Sequence, residues 1–84
     1  MSKKIESMYH NIILVELLIG GTQCTYVTKN RLRSRRVHLK TSHVLVIMKK
    51  LESLGFVSSV KSGLGYSWTL TPQGRKEAKE LSDM

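Results

Sequence analysis

The chain has 84 residues, 40% of them hydrophobic, with a formal charge of +8 and a single cysteine. That composition supports one small domain with its own core and excludes a disordered tail. A lone Cys24 excludes an intrachain disulfide and points to a reducing, cytosolic setting; with no His–Asx context it reads as a small buried hydrophobe.

The first predicted element is a helix over residues 4–19, stopped by Gly20-Gly21. On a helical wheel Ile5, Met8, Ile12, Val15 and Ile19 form one stripe, and Ile13, Leu14, Leu17 and Leu18 form a second patch. Two apolar sides on one helix imply two partners, the domain's own core and a second subunit. The apolar run from Ile12 to Ile19 contains Glu16 and falls well short of the roughly 20 residues a membrane helix needs. The chain therefore reads as soluble, with no targeting segment.

The stretch from Thr22 to Thr28 is β-branched and aromatic, and reads as a short strand or the lead-in to a helix. Thr28 or Asn30 then caps a short basic helix over residues 28–35. A stronger helix follows over residues 41–54, with Thr41 or Ser42 as N-cap and Gly55 as stop. Its Val44, Ile47, Met48, Leu51 and Leu54 share a core face, and Ser42, His43, Leu45, Val46, Lys49, Lys50 and Ser53 lie opposite.

Beyond Gly55 the period changes from helical to alternating. Residues 56–71 read as a two-stranded hairpin, turned by Ser62-Gly63-Leu64-Gly65. Thr71-Pro72 supplies an N-cap and a proline at the first helical position, opening a last helix over residues 72–82 with Ala78 and Leu81 inward. Phe56, Trp68 and the three tyrosines mostly read as core.

The charge is segregated. Residues 17–51 hold Lys29, Arg31, Arg33, Arg35, Arg36, Lys40, Lys49 and Lys50 and no acidic residue, whereas cations and carboxylates balance elsewhere. A single-signed segment costs self-repulsion unless a polyanion relieves it, which points to nucleic acid.

The element order and two motifs carry a family resemblance. Leu51-Glu52-Ser53-Leu54-Gly55-Phe56-Val57 resembles the end of the recognition helix and entry to the wing in MarR-like and PadR-like regulators. Tyr66-Ser67-Trp68-Thr69-Leu70-Thr71-Pro72-Gln73-Gly74-Arg75 resembles their second wing strand and its Leu-Thr-x-x-Gly exit. The same pattern is similar to small winged-helix chromatin and viral proteins of archaea. The resemblance implies an α+β winged helix-turn-helix occupying residues 1–84 as one domain: a three-helix core, a two-stranded wing and a C-terminal helix.

It also implies a double-stranded DNA-binding transcriptional regulator, cytoplasmic and nucleoid-associated, acting as a homodimer through the helix over residues 4–19. The helix over residues 41–54 would enter a major groove with Ser42, His43, Leu45, Val46 and Lys49, and the turn between Lys61 and Tyr66 would touch phosphate or minor groove. The families usually carry polar residues where this chain has Leu45 and Val46. Those two side chains suit thymine methyls or another protein surface, and not a donor–acceptor pattern. Arginine's planar fork suits phosphate, so Lys29, Arg31, Arg33, Arg35, Arg36, Lys40 and Lys61 are expected to set affinity and register. Two alternatives remain: a non-specific architectural or chromatin-like binder, and a protein-interaction winged helix.

Enzyme chemistry finds no support in the residues. His10, His38 and His43 lack metal-ligand spacing with cysteines or carboxylates, and Gly63-Leu64-Gly65 lies between strands, the wrong context for a dinucleotide site. No cofactor, metal or small-molecule ligand is expected.

Overall fold

The computed structural model describes residues 2–63 and 65–83, with side chains from residue 8 onward except those of residues 62 and 64. The element order is α1 (Ser2–Gly20), β1 (Gln23–Cys24), α2 (Thr25–Ser34), α3 (Thr41–Ser53), β2 (Val57–Ser62), β3 (Gly65–Leu70) and α4 (Pro72–Ser82). The strands form one antiparallel sheet in the order β1-β3-β2. The expected hairpin is present, and β1 extends it to three strands by placing Gln23 opposite Trp68. This pairing joins residues far apart in the chain, so the local pattern of residues 22–28 does not display it. That stretch is both of the things it resembled: two residues extend as strand, then the helix begins.

The core is built on Trp68, Ile13, Leu14, Leu32, Val44, Met48, Leu51 and Val57, all fully buried. Each such side chain contributes about 1.5–3 kcal/mol on leaving water. On α1 the patch of Ile13, Leu14 and Leu17 is the core side. The other stripe leaves Met8 and Ile19 more than half exposed and Ile12 and Val15 half-buried; the Ile5 side chain lies outside those described. Trp68 satisfies its ring N–H internally, Nε1 donating to the buried Thr25 Oγ1 at 2.8 Å.

Two caps differ from expectation. α2 begins at Thr25, earlier than the expected Thr28 or Asn30, and its N-cap Cys24 makes no side-chain cap bond. Thr28 is instead buried within the helix, donating to Gln23 Oε1 at 2.9 Å. Lys40, not Thr41 or Ser42, is the N-cap of α3, again without a side-chain bond; its carbonyl accepts from the His43 and Val44 amides. In both places tertiary packing fixes where the helix starts, and an available hydroxyl does not.

The two sequence motifs meet in space. The Thr71 amide donates to the Phe56 carbonyl at 3.0 Å, and Thr71 Oγ1 donates to the Gly55 carbonyl at 2.6 Å while accepting from the Gly74 amide. At Gly74 a Cβ would stand 1.8 Å from the Phe56 carbonyl oxygen, so only glycine lets α4 pass this close. The Leu-Gly-Phe-Val turn and the Leu-Thr-x-x-Gly exit are two sides of one junction, which ties α3, the wing and α4 into a fixed geometry. No helix among the described residues is long and apolar enough to cross a membrane.

Candidate nucleic-acid interface

The basic residues of α2 divide between two faces. Arg31 and Arg35, four residues apart, turn toward α1 and meet Glu16, which is only 4% exposed. Arg31 Nε lies 2.9 Å from Glu16 Oε1 and Arg35 Nε 2.5 Å from Oε2. Gln23 Nε2 donates to the Glu16 carbonyl at 2.9 Å, so α1, β1 and α2 share one polar knot. Both guanidiniums keep part of their surface in water. Two of the cations expected on phosphate therefore already have a carboxylate partner inside the fold. Glu16 carries a sequence signal for this, as the lone acid within an apolar helical run, because buried carboxylates are held by paired cations.

Lys29 and Arg33 lie on the other face of α2, followed by Arg36 in the turn. A hollow of about 260 Å³ opens between them and the connector, lined by Lys29, Arg33, Val37, His38, Leu39 and Lys40. Arg33, Arg36 and Lys40 are exposed and pair with no carboxylate among the described residues. Lys29 Nζ stands 5.7 Å from the centre of the Tyr26 ring. Tyr26 is 61% exposed and Cys24 is also exposed, against the expectation that both are core. The added strand explains the reversal: Cys24 pairs opposite Ser67 on the outer side of the sheet, and Tyr26 follows it onto the first turn of α2.

Arg36 closes α2 in a left-handed conformation, with φ of 65°. The Val37 amide donates to the Leu32 carbonyl and the Arg36 amide to that of Arg33, each at 2.9 Å. Glycine is the usual occupant of that position because a Cβ there crowds the backbone.

On α3 the structure separates the expected groove residues. Leu45 is half-buried and packs on the core, so it is not part of an outward face. Ser42, Val46 and Lys49 are exposed and share the side opposite the core residues. His43 is exposed on the flank, its ring edge-to-face with Tyr9 of α1 at 6.1 Å. Lys49 leans toward the wing, with Nζ 5.6 Å from the Tyr66 ring centre, and Tyr66 packs tilted on Trp68 at 5.6 Å. Through Lys49, Tyr66, Trp68 and Thr25 the outward side of α3, the wing and the start of α2 are in continuous contact. A shallow hollow of about 420 Å³ lies at their meeting point, with Thr25, Tyr26, Thr41 and Tyr66 among its lining residues. Lys61 is exposed on β2 opposite Tyr66; Leu64, at the expected wing tip, lies outside the described residues.

Among the described residues no group of three or more His, Cys, Asp or Glu side chains is placed to hold a metal ion. The chain matches no protein-family model and no curated protein. Solved structures do resemble it. The SSV1 protein F-93 superposes with a TM-score of 0.74 at 22% identity, over 88% of this chain and 81% of that one. A transcriptional regulator from Clostridium thermocellum gives 0.73 at 22% identity, over 99% and 85%. PadR of Bacillus subtilis, solved in complex with operator DNA, gives 0.69 at 21% identity, over 88% of this chain and 46% of PadR. Four helices and a three-stranded antiparallel sheet among the described residues, with these likenesses, give the chain the winged helix-turn-helix fold.

Proposed function

We propose that this protein is a double-stranded DNA-binding transcriptional regulator of the cell interior, and not an enzyme. In this reading α3 lies in the major groove with Ser42, Val46 and Lys49 outward. Lys29, Arg33, Arg36, Lys40 and Lys61 hold phosphates on either side, while Arg31 and Arg35 act mainly by fixing α2 to α1 through Glu16. The observation that carries the reading is the group of cations with no carboxylate partner among the described residues along α2 and its connector, which ends at Lys40, the N-cap of α3. The basic surface and the helix that would read bases thus approach a duplex together. That the similarly folded PadR was solved with operator DNA supports DNA as the partner.

A second subunit has a ready surface in Met8, Val15 and Ile19, with Ile12, itself packed partly on the core, at its edge. Pairing through it would give a homodimer that reads a two-fold-related site.

Titration of duplex DNA across salt concentrations tests the proposal. Engagement of about four to six phosphates per protomer gives a slope of log affinity on log salt of about −0.9 per phosphate. Sizing of the complex should return two subunits per site. Absence of duplex binding at low salt, or a flat salt dependence, overturns the reading.

A further inference from the structure

The outward face of α3 carries an unusual choice at its centre. Val44, Ile47, Met48 and Leu51 are buried, so helical spacing sets Ser42, Val46, Lys49 and Ser53 on the opposite side, and all four are exposed. Val46 stands mid-row at 64% exposure and is its only apolar member, since Leu45 packs on the core. A single exposed valine is ordinary on a protein surface. Here it occupies the middle of the outward face, with a hydroxyl one turn before it at Ser42 and an ammonium one turn after it at Lys49.

Resting on the proposal that α3 is the helix presented to the major groove, we infer that Val46 reads the C5-methyl group of a pyrimidine. The bound duplex then carries a thymine, or a 5-methylcytosine, against it. The floor of the major groove is otherwise hydrogen-bonding: guanine N7 and O6, adenine N7 and N6, cytosine N4 and thymine O4. An isopropyl group set over any of these strips water and returns no hydrogen bond, which costs free energy. Against a C5-methyl group the same isopropyl buries apolar surface on both sides. Val46 therefore selects by rejection of unmatched polar edges as well as by attraction to the methyl. Ser42 and Lys49 supply polar contacts to the neighbouring pairs, the Ser42 hydroxyl as donor or acceptor and the Lys49 ammonium as donor only.

The test begins with selection of bound duplexes from a random pool. Each thymine of the selected site is then replaced by deoxyuracil, which removes only the methyl group. One position per half-site should lose about three- to fivefold in affinity, the effect of one buried methyl. At that position cytosine should bind as weakly as uracil or more so, and 5-methylcytosine should recover the loss. Tighter binding by 5-methylcytosine than by thymine would name methylated DNA as the preferred ligand; the reverse order would name thymine. Val46→Ser should abolish the thymine–uracil difference while keeping the salt slope and the melting temperature, because the side chain is exposed. Tolerance of uracil everywhere, no enriched sequence, or a uracil penalty that survives in Val46→Ser overturns the inference. Failure to bind any duplex at low salt, visible before uracil is introduced, overturns the proposed function itself.

Discussion

The ends of α2 and α3 are closed by the same pair of backbone hydrogen bonds and finished with opposite residues. At α3 the Phe56 amide reaches the Leu51 carbonyl, the Gly55 amide reaches that of Glu52, and Gly55 takes φ of 85°. At α2 the Val37 and Arg36 amides do the same to Leu32 and Arg33, and Arg36 takes φ of 65°. The first end uses the residue that left-handed backbone favours; the second places a long cation there at a cost of about 1 kcal/mol. Along α2 and its C-terminal turn a similar contrast holds, because Arg31 and Arg35 share the Glu16 carboxylate while Arg33 and Arg36 have no carboxylate partner among the described residues. Four arginines within six positions thus divide into two tied to Glu16 and two with no carboxylate partner among the described residues. In the proposed complex the second pair sets affinity together with Lys29, Lys40 and Lys61.

The largest effect should come from removing the outward pair. Arg33→Gln with Arg36→Gln is expected to weaken duplex binding by about 10- to 100-fold and reduce the salt slope by about 1.8, at nearly unchanged stability. An unchanged slope in filter-binding titrations would remove these residues from the phosphate contacts. Glu16→Gln probes the inward pair. It should lower stability by about 2 kcal/mol, less than a fully buried pair because both guanidiniums reach water. Thermal unfolding would register this as a fall of roughly 10 °C, and the folded protein should bind DNA no more weakly. A loss of affinity matching that of the Arg33–Arg36 double variant would erase the distinction between the two faces.

The smallest effect is the most diagnostic, because it pairs a gain with a loss. Arg36→Gly should raise stability by about 0.5–1 kcal/mol, relieving the left-handed strain, and flatten the salt slope by about 0.9. Gly55→Ala should act in the other direction, costing about 1 kcal/mol, with the new Cβ only 3.3 Å from Gln73 Oε1. Should Arg36→Gly melt lower than the parent chain, Arg36 is not strained, and the contrast between the helix ends has another cause.

Much of this arrangement is legible along the chain, and the failures share a physical origin. Periodicity locates the core face of α3 except at its end, where Leu54, expected inward, is the C-cap and 49% exposed, and Thr71-Pro72 marks the start of α4, because both depend on neighbours within a few residues. The hairpin register follows from alternation in the same way. Cys24, Tyr26 and Leu45 were misplaced for the opposite reason. The exposure of Cys24 and Tyr26 depends on β1 pairing with β3, more than forty residues away. Leu45 lies at the edge of the apolar arc of α3, where only the neighbouring elements decide whether it is covered.

The element types, the core stripes, the junction motifs and the segregation of charge are written in local spacing and composition. Which of those charges remain available depends on how the helices pack. Glu16 lies just outside the basic segment, on a different helix from Arg31 and Arg35, and no count of residues along the chain pairs them. Docking α2 against α1 brings that carboxylate to two guanidiniums and leaves Lys29, Arg33, Arg36 and Lys40 on the other side. Charge belongs to the residue, but whether it is compensated depends on distance, and distances between helices are set by packing.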